Sequence, residues 1–112
     1  MADITDFQIG QGETFKILIT VINDESGDPM DIGGQTFAGQ IRENYSTDDV
    51  ADAFNFDKVA PYSSGSVFVS LTPQQTMNLT QRKYVYDIKM TSGSVTRRIL
   101  EGYMVVRPAA TR

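Results

Sequence analysis

The side chains with chemical potential fall into two opposed groups. Asp24, Glu25, Asp28 and Asp31 crowd carboxylates into one short stretch, and closely spaced oxygens are what a hard cation such as calcium takes. The stretch lacks the alternate acids and distal glutamate of an EF-hand loop. Its neighbours Asn23, Ser26, Gly27 and Pro29 are turn formers, so a solvated turn is the plainer reading. Asp48, Asp49 and Asp52 are expected in a wet loop in the same way. Toward the other end, Arg97, Arg98 and Arg107, with Arg82 and Lys83 upstream, form a basic stripe. Guanidinium forks suit carboxylates on a protein partner. With Tyr84, Tyr86 and Tyr103 nearby the stripe also has the parts of a nucleic-acid surface, or of charged protection for a strand edge. The acidic total charge of −4 and the lack of a nucleic-acid module weigh against nucleic acid.

Two absences narrow the chemistry further. Histidine is missing, and with it the commonest general base and transition-metal ligand. Cysteine is missing too, which excludes disulfides and thiolate metal sites. The glycines at 10 and 12, and at 33 and 34, are followed by no phosphate-loop lysine and no long helix. A hydrolase running on two carboxylates depends on spacing in three dimensions, and nothing marks any two acids for it. A sugar-binding module usually offers a platform of aromatic rings; there is no tryptophan, and Tyr45 and Tyr62 stand alone in the sequence. The expectation is a non-enzyme without metal or cofactor.

Charge is unevenly distributed along the chain. Residues 1–60 hold twelve acids against three bases, and residues 61–112 hold seven bases against two acids. A sandwich that interleaves early and late strands would mix these signs. A bipolar surface would instead dock against copies of itself or a charged partner.

The elements that must position these groups are strands. Arg82 to Met90 alternates strictly, with Tyr84, Tyr86, Ile88 and Met90 on one face and Val85, Asp87 and Lys89 on the other. A Ser92-Gly93-Ser94 turn and a second strand from Val95 to Arg107 complete a long hairpin. A change of phase near Glu101-Gly102 predicts a bulge there. Upstream, strands are expected at Ile4–Ile9, Thr14–Ile22, Gln35–Glu43, Val50–Val59 and Ser66–Leu71. In the second of these Phe15, Ile17, Ile19 and Val21 share a face, while Leu18 and Ile22 lie opposite. That outward pair marks either an intersubunit surface or packing beneath loops. Thr72-Pro73-Gln74-Gln75 has a capping threonine, proline at the first helical position and glutamine three residues after the cap. It predicts one short rim helix packing Met77 and Leu79. About seven strands with regular turns imply a single two-sheet antiparallel β-sandwich over residues 1–112, with flexible ends at 1–3 and 108–112. No apolar run is long enough to span a membrane and no signal segment follows Met1, so neither membrane nor secretion is expected.

Several segments taken together resemble a known group. They are Gly12-Glu13-Thr14-Phe15, Gly27-Asp28-Pro29-Met30-Asp31-Ile32-Gly33-Gly34, Gln40-Ile41-Arg42-Glu43, Val67-Phe68-Val69-Ser70-Leu71-Thr72, Tyr84-Val85-Tyr86-Asp87-Ile88 and Arg97-Arg98-Ile99-Leu100-Glu101-Gly102. Their order resembles small virion proteins of tailed bacteriophages similar to the N-terminal domain of phage baseplate upper proteins. The resemblance implies an Ig-like β-sandwich, located in the virion and assembled in the host cytoplasm, that builds the particle without catalysis. Its partners would be other phage structural proteins of tail, neck, baseplate or capsid, met in a multi-copy symmetric assembly. Because the given sequence closes at Arg112 without a fibre-forming extension, a separate adaptor or accessory subunit is expected. A capsid decoration protein is the alternative within the group, and a carbohydrate-binding module lies outside it. Contacts are expected from Arg97, Arg98, Tyr103 and Arg107 on the last hairpin, from the acidic loop at Asp48 and Asp49, and from the chain ends.

Overall fold

A computed structural model describes residues 3–23 and 25–110. The expected loose ends at Met1, Ala2, Thr111 and Arg112, and the Asp24 member of the acidic stretch, lie outside those residues. Nine strand segments are described: β1 (Asp3–Ile4), β2 (Phe7–Gly10), β3 (Phe15–Thr20), β4 (Thr36–Arg42), β5 (Asp52–Ala53), β6 (Asn55–Lys58), β7 (Ser66–Leu71), β8 (Lys83–Ser92) and β9 (Val95–Arg107). A single turn of α-helix, α1 (Pro73–Met77), follows β7. One sheet has the order β1-β9-β8-β4-β5 with β2 also beside β9; the other is β3-β7-β6. The all-β sandwich of the sequence reading is the observed fold.

The core lies where the inner faces meet. Tyr86, Ile88, Ile41 and Met104 from the larger sheet oppose Val67, Val69 and Leu71 from the smaller, and none of the seven is more than 1% exposed. Alternation decides this: β7 buries every second residue, and Ser66, Phe68 and Ser70 turn outward. Phe7, Phe15, Phe54 and Tyr86 form a chain of ring contacts through the middle, with centroids 5.3 to 6.3 Å apart. Leu18 and Ile22 are 55% and 52% exposed, so the alternative that loops cover them is not what the fold shows.

Two expected strands are each broken in two. The Val50–Val59 segment splits at Phe54, whose ring is buried between the sheets and whose N–H donates to the Gly39 carbonyl at 3.0 Å. There the chain passes from the edge of one sheet to the edge of the other. Asp52, expected in a wet loop, is instead half-buried in β5, and its carboxylate accepts from the Gln75 amide at 2.9 Å. The Ile4–Ile9 segment splits at Thr5–Asp6. Thr5 N–H still donates to the Glu101 carbonyl, but the Asp6 carboxylate takes over as acceptor for Tyr103 N–H at 2.9 Å. Both halves pair in parallel with β9, whereas the other strand pairings described are antiparallel.

The hairpin forms as its alternation predicts, with Gly93 at φ 58° in the turn. Its bulge is not at Glu101-Gly102. The register shifts between Ile88, opposite Leu100, and Lys89, opposite Arg98, which makes Ile99 the extra residue. Two consecutive apolar side chains, Ile99 and Leu100, thereby both pack against the core. Gly102 has a different reason to be glycine. A Cβ there would stand 2.1 Å from the Thr5 carbonyl oxygen, so β9 needs a bare backbone where the break between β1 and β2 crosses it.

The rim helix carries the full capping box: Thr72 Oγ1 accepts from Gln75 N–H at 3.2 Å, and the Gln75 side chain accepts from Thr72 N–H at 2.9 Å. Thr76, the one fully buried polar residue described, ties this helix to the loop before β3. Its hydroxyl donates to the Glu13 carbonyl at 2.8 Å and accepts from Gly12 N–H at 3.0 Å. Thr76→Val keeps the volume and strands both backbone groups, so it is expected to cost about 1–3 kcal/mol. A lowered denaturation midpoint at unchanged slope is the readout, and an unchanged midpoint would contradict the assignment.

Candidate functional site

Cross-strand pairing assigns each hairpin residue to a face. Lys83, Val85, Asp87 and Lys89 of β8 point outward, beside Gln40 and Arg42 of β4 and Arg98, Glu101, Tyr103 and Arg107 of β9. Among the described residues, β4, β8 and β9 give this outer face five cations (Arg42, Lys83, Lys89, Arg98, Arg107) and two carboxylates (Asp87, Glu101). Part of the charge asymmetry therefore survives folding as a cationic face on an acidic protein.

The pairing opposes like charges twice, Asp87 to Glu101 and Lys89 to Arg98. Alone, both pairs are unfavourable. Arg98 relieves them diagonally, reaching Asp87 at 3.4 Å and Glu101 at 2.8 Å. The bulge at Ile99 sets the register from which both carboxylates are within its reach. The hydrogen bond to Glu101 raises the Arg98 guanidinium above its usual range. Lys83 lies over the Tyr103 ring at 4.0 Å, an exposed cation–π contact worth about 0.5–1 kcal/mol. Val85, the apolar centre of the face, is only 7% exposed and lies opposite Tyr103 on one side and Arg42 on the other.

Tyr45 does not stand alone as its place in the sequence implies. It reaches back over this face from the loop after β4 and, with Gln40, Arg42, Asp87, Lys89 and Arg98, lines a polar depression of 410 Å³. Its hydroxyl is pushed up from the ordinary tyrosine value by desolvation first, then by Glu101 and Asp87. The sheet order brings β4 beside β8, and no signal in the sequence places Tyr45 there. Arg42 anchors the loop, donating to the Thr47 carbonyl at 2.6 Å, while Asn44 Oδ1 accepts from Ser46 and Thr47 N–H groups.

The expected contact residues are thus divided. Arg98, Tyr103 and Arg107 share the outer face. Arg97 lies opposite Met90 on the inner side of the sheet, at the open end of the sandwich. Asp48 and Asp49 are exposed in the loop that carries Tyr45. Of the calcium reading, Glu25, Asp28 and Asp31 are exposed. The Asp31 carboxylate accepts from Gly33 N–H, and the turn is closed by Asn23 Oδ1 accepting from Glu25 N–H. Among the described residues, no group of three or more potential ligands gathers anywhere.

The strand order defines the class. β3, β7 and β6 take the places of strands B, E and D of an immunoglobulin sandwich, and β9, β8, β4 and β5 those of G, F, C and C′. Tyr84, near the start of the F position, accepts at its hydroxyl from Gln81 N–H at 2.9 Å, the bond that defines a tyrosine corner. The chain is an Ig-like β-sandwich with no cysteine pair or core tryptophan.

No protein-family model matches this chain, and no curated protein matches it. Among solved structures it is similar to the N-terminal Ig1-2 module of the Drosophila receptor protein tyrosine phosphatase DLAR, at 7% identity and a TM-score of 0.48. That likeness covers 95% of this chain and 46% of the other, so the chain spans about half the length of that module.

Proposed function

We propose that this chain is a non-catalytic structural subunit of a tailed-phage particle, present in many copies as an adaptor or accessory protein of tail, neck or baseplate. The observation that carries the reading is the outer face of the larger sheet, which supplies the directional contacts a docking surface needs. Tyr103 and Tyr45 offer exposed aromatic area, and Lys89, Arg98 and Arg107 a cationic surround for carboxylates on a neighbour. The ordered resemblance to phage virion proteins supplies the kind of neighbour. Individually weak contacts of this sort become strong when symmetry repeats them.

The test is incorporation into particles. The combined variant Lys89→Glu, Tyr103→Ala, Arg107→Glu changes exposed side chains only, so its melting temperature should stay within a few degrees of the parent. Its copy number in purified virions, measured by quantitative mass spectrometry, should fall by about ten-fold or more, since losing about 1.4 kcal/mol per contact is already a factor of ten. Unchanged incorporation would remove the assignment of this face. Absence of the parent protein from purified virions would remove the phage role altogether. Labelling on intact particles separates tail, neck and baseplate positions from a capsid decoration role.

A further inference from the structure

A second surface lies on the open side of the sandwich. Among the described residues β3 pairs only with β7, because β1 and β2, which precede it, are both recruited by β9 in the other sheet. An antiparallel neighbour on one side uses the N–H and C=O groups of alternate residues, and the rest of β3 points away from β7 with no strand to receive it. The exposed edge is Phe15-Lys16-Ile17-Leu18-Ile19-Thr20. Its one charge, Lys16, leans back over the Phe68 ring at 4.3 Å instead of guarding the edge. A strand edge this apolar and this lightly charged is a template for another strand.

Beside the edge runs a trough. A cleft of 340 Å³ between the end of β3 and the first half of β9 is lined by Ile19, Val21, Met30, Met90 and Ile99. A second hollow of 240 Å³ shares Met30, Met90 and Arg97 with it and extends to Gln35 and Val95. Methionine side chains adapt to what they meet, which suits a surface that takes up apolar side chains. The ionisable residues lining the two hollows are Arg97 and Arg98, with no acid among them. The Arg97 side chain makes no hydrogen bond or ion pair among the described residues, and Gln35 Oε1 is buried without a partner.

We propose that this side of the sandwich takes up an extended segment of a partner protein, which adds to β3 as a strand. Alternate apolar side chains enter the trough and a carboxylate pairs with Arg97. Backbone bonds to the edge supply affinity, and the trough with its guanidinium supplies selection for an acidic, β-forming sequence. Charge decides between this occupant and a second copy docking through its own β3. The Phe15–Thr20 strand that a second copy would offer carries no carboxylate to match the guanidinium-lined hollows, whereas an acidic segment does.

Two short synthetic peptides test the inference on the full chain, one alternating valine with threonine and glutamate, the other with lysine in place of glutamate. The glutamate peptide should shift amide resonances at residues 15–20 and 95–99, and should bind about ten-fold more tightly than the lysine peptide, the gap expected when attraction at one site becomes repulsion. Arg97→Glu alters an exposed side chain without a partner among the described residues, so the variant should fold normally and reverse the order of the two peptides. Three results would overturn the proposal. The two peptides could bind equally, or the shifts could fall on the Lys89–Tyr103 face instead. In the third, the free protein sediments as a dimer whose β3 amides already resist hydrogen exchange. None of these bears on incorporation into particles, which reads the opposite face.

Discussion

Gly102→Ala is expected to lower stability by about 3 kcal/mol, through overpacking with no soft neighbour to absorb it. The added methyl would sit 2.1 Å from the Thr5 carbonyl oxygen and 2.8 Å from its carbon, and both are backbone atoms. Flexible side chains can step aside from such a clash; a strand held on both flanks cannot. Asp3 and Ile4 pair with Leu100 and Glu101, and Phe7 to Gly10 pair with Met104 to Arg107, so Thr5 is pinned between two registered segments. Relief therefore means lifting β1 and β2 from β9. That also breaks the bond from the Tyr86 hydroxyl to the Thr5 carbonyl and the bond from Tyr103 N–H to Asp6. Thermal melting should show a drop of roughly 10–20 °C for a domain of this size. Hydrogen exchange should show Leu100 to Arg107 losing protection first. A shift of only a degree or two would mean that the Thr5 approach is not a fixed feature of the fold.

The second large effect centres on Tyr86. It is 1% exposed, touches the Phe7 and Phe54 rings, and donates its hydroxyl to Thr5. Truncation in Tyr86→Ala removes an aromatic from the middle of a close-packed core and is expected to cost about 3–5 kcal/mol. Tyr86→Phe keeps the ring and removes only the hydrogen bond, for about 1 kcal/mol. The difference between the two, measured by denaturant titration, separates packing from hydrogen bonding. The pair also carries a signature in pH. Burial first, then the nearby Asp6, Tyr45 and Glu101, raises the folded hydroxyl well above its ordinary value of 10.0. Because the folded group holds its proton more tightly than the unfolded one, this contribution is complete below the unfolded value and is lost as pH climbs past it. The parent protein should thus lose stability above about pH 10 by a component that Tyr86→Phe lacks. Parallel pH profiles for the two would remove Tyr86 as the source.

These effects and the two docking surfaces depend on the same few residues of β9. Alternation from the Gly93 turn puts Arg98 on the outer face and Arg97 on the inner side, where no described side chain engages it; the bulge at Ile99 then brings Glu101 opposite Asp87, so that both carboxylates meet Arg98. The proposed adaptor face and the proposed strand-accepting trough therefore lie on the two sides of the same stretch of β9.

Local physics made much of the fold legible from sequence. The inward faces of β7 and β8 follow from period-two alternation, and the capping box of α1 from four consecutive residues. The Gly93 turn follows from one glycine between two alternating runs. In each case the residues that decide are neighbours in the chain. The tertiary structure alone decided the parallel docking of β1 and β2 on β9, the crossing between sheets at Phe54, the place of Tyr45 and the position of the bulge at Ile99. Alternation names the two sides of a strand only until an extra residue intervenes. Where that residue falls is settled by partners far away in sequence: Met90, Ile88 and the Thr5 carbonyl pressed against Gly102.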